Sequence, residues 1–131
     1  RLDELVGQKR TIMSWYQDRL SGVEGLSLND ANAWSKPIFW MSSVVLDERI
    51  TPSREQVTRH LKELGIDSRP FFPPLSSFPM FRTSEGPAPV AARIGRVGIN
   101  LPSGHSLTEA DIDRVCVGLR SAIAVRPVVA A

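Results

Sequence analysis

Arg69 is the side chain whose setting most suggests chemistry. It stands in the run Ser68-Arg69-Pro70-Phe71-Phe72-Pro73-Pro74-Leu75-Ser76. A guanidinium presents its N–H donors in a rigid fork that matches a carboxylate or phosphate with two parallel hydrogen bonds. Pro70 stiffens the backbone beside it, and Phe71 and Phe72 supply aromatic walls. The chemistry this pattern allows is an anion clamp. An ion pair with a neighbouring Asp or Glu explains the same residue, and the residues themselves leave both readings open.

The other reactive side chains are sparse. The lysines are Lys9, Lys36 and Lys62, the histidines His60 and His105, and the single cysteine Cys116. Lys9 and Lys62 read as surface positions of amphipathic helices, and Lys36 precedes Pro37 in a loop. His60 and His105 read as surface or half-buried residues rather than ligands. Cys116 falls on an apolar helical stripe and reads as a small core residue, since nothing beside it would lower its pKa. One cysteine permits no intrachain disulfide and no cysteine-based zinc cluster. The chain has no phosphate-binding glycine loop, paired-histidine zinc motif or glycine-framed nucleophilic serine. No catalytic, cofactor-binding or metal-ligating residue is assigned. Trp15, Phe39 and Trp40 resemble a stacking platform, but a half-buried helix and strand account for them.

Several elements must position these residues. Leu2, Leu5, Val6, Met13, Tyr16 and Leu20 recur at helical spacing, and Gly22 is the stop. Residues 1–21 read as the end of a longer helix, with Ile12 and Trp15 off the main stripe. Residues 23–37 form a loop with a short edge strand at Leu26–Leu28. Ile38–Leu46 is rich in aromatic and β-branched residues and predicts a strand. Ser53 and Gln56 form a capping box for a helix to Leu64, with Val57, Leu61 and Leu64 inward and Gly65 as its left-handed stop. Ile66–Phe72 predicts a second strand. Six prolines between Pro70 and Pro89 forbid a continuous helix, leaving room for a helical turn at Ser76–Met80. Val90–Val97 predicts a helix ended by Gly98, followed by a strand to Leu101. Thr108 and Asp111 cap the last helix, Leu107 and Ile112 staple it, and Ile112, Val115, Cys116, Leu119 and Ile123 form its apolar face. This face should pack on the sheet. The tail at 127–131 reads as loose.

The result is a single α+β domain over residues 1–131, with a small antiparallel or mixed sheet of two to four strands and helices mainly on one face. At 131 residues it can bury roughly two-thirds of its unfolded surface. Net charge is +2 with acids and bases interspersed, so no dense basic run implies nucleic acid. No apolar run approaches the roughly 20 residues of a membrane span. The lone cysteine fits a cytoplasmic protein, and the start at Arg1, without Met, leaves an upstream signal open.

A resemblance sharpens this reading. It runs from Gly65-Ile66-Asp67-Ser68-Arg69-Pro70-Phe71-Phe72-Pro73-Pro74-Leu75 through Pro89-Val90-Ala91. It continues with Gly98-Ile99-Asn100-Leu101-Pro102-Ser103-Gly104 and Leu107-Thr108-Glu109-Ala110-Asp111-Ile112. This order resembles the C-terminal domain of the DegT–DnrJ family of sugar aminotransferases, which use pyridoxal phosphate, and most resembles the perosamine-synthase-like branch acting on nucleotide sugars. The fold implied is the small C-terminal domain of fold-type I aminotransferases. The resemblance places Arg69, Phe71, Phe72 and Ser76 near the cleft as substrate-binding residues. Phe71 and Ser76 stand where many members have histidine, and Pro37 replaces a third. In the family a lysine of a large N-terminal domain forms the Schiff base, and an aspartate of that domain pairs with the pyridine nitrogen. None of Lys9, Lys36 or Lys62 lies in a sequence like that lysine motif.

The resemblance therefore implies a C-terminal domain or fragment of a keto-sugar-nucleotide aminotransferase, inactive alone. It would need an N-terminal large domain or partner chain, within a homodimer that binds pyridoxal phosphate and a nucleotide sugar. The alternative is a free-standing α+β binding or interaction module without enzymatic activity. A severed domain should expose an orphan apolar patch, expected near the first helix at Ile12 and Trp15.

Overall fold

The computed structural model describes residues 1–81 and 88–124. In chain order these form α1 (Leu2–Leu20), β1 (Leu26–Leu28), β2 (Ser42–Leu46), α2 (Arg54–Glu63) and β3 (Arg69–Pro70). They continue with α3 (Pro89–Val97), β4 (Gly98–Leu101) and α4 (Glu109–Ala124). Two short 3-10 turns, Leu75–Ser77 and Pro79–Phe81, lie between β3 and α3. The four strands form one sheet in the order β1-β2-β4-β3, antiparallel throughout. The expected tail at 127–131 lies outside the described residues.

Strand alternation sends successive side chains to opposite faces. Val44 pairs with Ile99 and Ser42 with Leu101. Val44, Leu46, Ile99 and Leu101 join one core with Ile12, Tyr16 and Leu20 of α1, Val57 and Leu61 of α2, and Ile112, Val115 and Leu119 of α4. α4 lies against both α1 and α2. Arg19 of α1 also holds α4 through Glu109 at 2.8 Å and through Asp113. α3 meets β2, β3 and β4.

The local signals for α2 and α4 are realised in full. Gln56 N–H donates to Ser53 Oγ, and Ser53 N–H donates to Gln56 Oε1. Gly65 takes φ +71°, the left-handed conformation that spares the chain a Cβ clash. At α4, Asp111 N–H donates to Thr108 Oγ1, while the Thr108 amide and hydroxyl both donate to Asp111 Oδ2. These bonds stabilise the charged carboxylate and lower the Asp111 pKa.

Four expectations change. The strand expected from Ile38 begins only at Ser42, because Phe39 has φ +50° and turns the chain out of the sheet. The strand expected over Ile66–Phe72 is reduced to Arg69–Pro70, since Pro70 has no N–H to extend the ladder and Ile66 is buried in the core. Leu64, expected on the buried stripe of α2, falls just past the end of that helix and is exposed. Gly98 ends α3 as expected. It is required by space, as a Cβ there would sit 2.6 Å from the Ile94 carbonyl oxygen and 2.7 Å from Phe71 Cβ. Finally, Ile12 is not part of a second face of α1. It is buried in the core beside Tyr16, and Trp15 packs partly against the same cluster.

Candidate functional site

The sheet face opposite the helical core is polar. Ser43 pairs with Asn100, and Asn100 pairs with Arg69. Ser43 Oγ donates to Asn100 Oδ1 at 2.7 Å, and Asn29 Oδ1 accepts from the Ser43 amide at 2.8 Å. Asn29 N–H in turn donates to the Ser43 carbonyl. Asn29, just after β1, and Ser43, Asn100 and Arg69 on β2, β4 and β3 therefore form a polar row across the sheet. Two members, Ser43 and Asn100, are buried and depend on each other, since burying a polar group without a partner is costly.

Arg69 ends this row on the edge strand. Its side chain is 74% exposed, and its Nη2 donates to Asp67 Oδ2 at 3.1 Å. Such an exposed pair is worth about 0–1 kcal/mol, so an incoming anion can compete for the guanidinium. Arg69 also lines an open groove of 540 Å³ with Arg59, Lys62, Asp67 and Ser68.

The neighbouring aromatic residues form a separate group. Phe71 and Phe72 meet edge to face at 5.7 Å, and Phe72 stacks on Trp40 at 6.0 Å with the rings 10° from parallel. Trp40 is 59% exposed and Phe72 53% exposed. Ser76 is half-buried in the first 3-10 turn. Among the described residues, no hydrogen bond or ion pair joins Arg69 to Phe71, Phe72 or Ser76. The four positions singled out in the sequence thus fall into an edge cation, an aromatic stack and a turn serine.

In place of the half-buried strand position that the sequence predicts, Trp40 is an exposed loop residue stacked on Phe72. The signal was present: Ile38, Phe39 and Trp40 are three large apolar residues in a row, which a one-sided strand cannot bury together. The chain segments that carry these two rings hold further exposed apolar residues, Trp34 and Ile38 before Trp40 and Leu75, Phe78, Met80 and Phe81 after Phe72.

The remaining reactive groups have structural roles. His60 Nε2 lies 2.9 Å from Ser121 Oγ and links α2 to α4. His105 is exposed. Cys116 is buried in the core, and burial pushes its thiol up to about 11, far from a nucleophilic thiolate. Lys9, expected as a plain surface residue, is half-buried. Its ammonium donates to the Trp40 carbonyl at 2.9 Å and to the Ser103 carbonyl. Burial lowers its pKa.

A pyridoxal-phosphate site needs a lysine able to form the imine and a carboxylate to meet the pyridine nitrogen. Lys9 is committed to two carbonyls, and Lys36 and Lys62 are exposed. The carboxylates sharing the groove of Lys62 are already engaged, Glu55 with Arg54 and Asp67 with Arg69. The described residues do not fit that cofactor. They also contain no cluster of three His, Cys, Asp or Glu side chains able to hold a metal, and no helix long and apolar enough to cross a membrane.

Residues 1–120 match the DegT/DnrJ/EryC1/StrS aminotransferase family. The chain belongs to this family. Among DegT/DnrJ relatives, GDP-perosamine synthase of Caulobacter vibrioides is 34% identical over 128 residues, covering 91% of this chain and 33% of that protein. The pyridoxal phosphate-dependent aminotransferase EpsN of Bacillus subtilis, a putative assignment in its own name, is 30% identical over 119 residues, covering 87% of this chain and 30% of EpsN. The crystal structure of DesV from S. venezuelae, in complex with a ketimine intermediate, superposes with a TM-score of 0.78 at 25% identity. It matches 92% of this chain and 32% of DesV. The chain thus spans about a third of the length of the DegT/DnrJ relatives it matches.

Proposed function

We propose that this chain is the C-terminal small domain of a pyridoxal-phosphate-dependent nucleotide-sugar aminotransferase, forming one wall of the active-site cleft and contributing substrate contacts from Arg69 to Ser76. The complete enzyme, a cytoplasmic homodimer, transfers an amino group from a donor such as glutamate to a keto-sugar nucleotide. The observation that carries this reading is a family match over residues 1–120 in a chain that spans a third of its relatives. The Schiff-base lysine and its pyridinium partner belong to the other two-thirds, so this domain alone is inert. Arg69 binds an anionic group of the substrate by exchanging Asp67 for it. The apolar surface around Trp34, Trp40, Phe72 and Met80 is the side on which the rest of the enzyme packs; an exposed patch of this kind usually marks an interaction site.

A free-standing binding module is the second reading. It is favoured by α1, whose Ile12 and Trp15 join the core instead of forming an orphan face. The exposed residues of 34–40 and 72–81 weigh against it.

The test is to mix the isolated chain with pyridoxal phosphate, reduce with borohydride and map the peptides. The reading predicts no stoichiometric adduct at a single lysine. A stoichiometric adduct, with Lys36 the first position to inspect, would show that the chain makes its own cofactor site.

A further inference from the structure

We infer that Lys9 is a positioning residue: its ammonium fixes the backbone at Trp40 so that the indole is held in its stack on Phe72. The inference goes beyond the proposed function and needs neither cofactor nor partner for its test.

Three observations converge on this junction. Lys9 Nζ donates to carbonyls from two distant segments, Trp40 and Ser103, and among the described residues has no carboxylate partner. A half-buried ammonium with no counter-ion is retained only where its donors are satisfied. Phe39, immediately before Trp40, has φ +50°. That conformation is unfavourable for an aromatic residue and persists only where the surroundings over-determine it. The Trp40 ring is mostly exposed, so its own burial cannot hold it, yet it lies nearly parallel to Phe72.

The rest of the junction is rigid. Tyr16, two turns along the same face of α1 from Lys9, donates its hydroxyl to the Pro102 carbonyl at 2.8 Å and is fully buried. Ser103 Oγ makes a longer bond of 3.4 Å to the same Trp40 carbonyl. α1 therefore reaches the 102–103 segment twice and the Trp40 backbone once. Two α1 cations tie the core to this segment, Lys9 at the Trp40 carbonyl and Arg10 at the Pro37 carbonyl (3.1 Å), and only Lys9 reaches Trp40 itself. Without the ammonium, the Trp40 carbonyl keeps only the long Ser103 bond, and the strained Phe39 is held from α1 only on its other side, by Arg10 at Pro37.

The test is fluorine NMR of the whole chain labelled with 5-fluorotryptophan, which separates Trp15, Trp34 and Trp40, together with the nuclear Overhauser contact between the Trp40 and Phe72 rings. Lys9→Met keeps the aliphatic stem and removes the charge. It should shift and broaden the Trp40 line, abolish the contact to Phe72 and leave Trp34 unmoved. Lys9→Arg should restore both signals. Ser103→Ala, which leaves both Lys9 bonds in place, should move the Trp40 line by less, and Lys9→Gln supplies the answer if Lys9→Met fails to fold. Ile12→Val, in the core on the same helix, controls for general loosening. An unchanged Trp40 line in folded Lys9→Met, or in Lys9→Gln should Lys9→Met not fold, would overturn the inference. So would an equal shift in Ile12→Val.

Discussion

The helical core and the proline-aromatic surface use the same kinds of residue to opposite ends. In the core, Ile12, Tyr16, Leu61, Ile99, Ile112 and Leu119 are buried by one another, and each lies on an element whose period points it inward. In the segments 34–40 and 70–81, Trp34, Trp40, Phe72 and Met80 are as large and as apolar, but they face outward. The first region is complete within this chain. The second is held in place by a few specific ties, the Lys9 bonds, the Trp40–Phe72 stack and the close fit of Phe71 over Gly98. A domain whose stability resides in one layer can carry an ordered but unburied surface on the other, and such a surface suits a larger assembly.

Four changes sharpen this contrast, taken from the largest expected effect down. Leu119→Ala removes a fully buried side chain of α4 and should cost about 2–5 kcal/mol in denaturant unfolding. A loss near zero would mean that α4 is peripheral and the two regions are not distinct. Thr108→Ala removes the α4 cap and should lower stability by about 1 kcal/mol. The measured unfolding free energy should fall without a change in denaturant slope. Trp34→Ser, in the other region, should change stability by no more than about 0.5 kcal/mol, since the ring is 85% exposed. It should, however, reduce binding of a hydrophobic dye or self-association of the isolated chain. A stability loss as large as that of Leu119→Ala would break the comparison.

The smallest effect concerns acid stability. The Arg49 guanidinium and amide hold the Asp47 carboxyl down, from its ordinary 3.8 to about 2. A group with a depressed folded pKa contributes stability above its unfolded value and loses it as pH falls through the folded one. Asp47→Asn should therefore flatten the stability profile between about pH 4 and pH 2 and leave its shape near neutrality unchanged. An acid limb identical to that of the parent chain would assign that slope to other carboxylates.

The sequence was readable where the determinants are local. The capping residues of α2 and α4, the left-handed Gly65 and the strand Gly98–Leu101 all follow from neighbours within a few positions, and each appears where its signal placed it. Helix faces point to a core on one side of the sheet, while alternation alone leaves two to four strands open, and the fold has four. Three features of the candidate site were not legible. The role of Lys9 depends on carbonyls 31 and 94 residues away, which no local pattern encodes. The turn at Phe39 overrides a run with strong β-propensity, because the tertiary ties at Trp40 outweigh it. The polar row Asn29–Ser43–Asn100–Arg69 arises from register between strands that are distant in sequence, so its members look unrelated along the chain. The ion pair that the sequence leaves open for Arg69 is realised with Asp67, whereas the direction of Phe71 and Phe72 emerges only from the fold.

Reconstitution tests the central claim most directly. This chain would be mixed with the separately produced remainder of the same enzyme, and pyridoxal-phosphate-dependent amino transfer to a keto-sugar nucleotide would be measured for each part and for the mixture. The account predicts no transfer by this chain alone, transfer by the mixture, and a larger loss of substrate use than of stability in Arg69→Ala. Transfer by this chain alone, or a mixture in which Arg69→Ala performs as well as the parent chain, would contradict it.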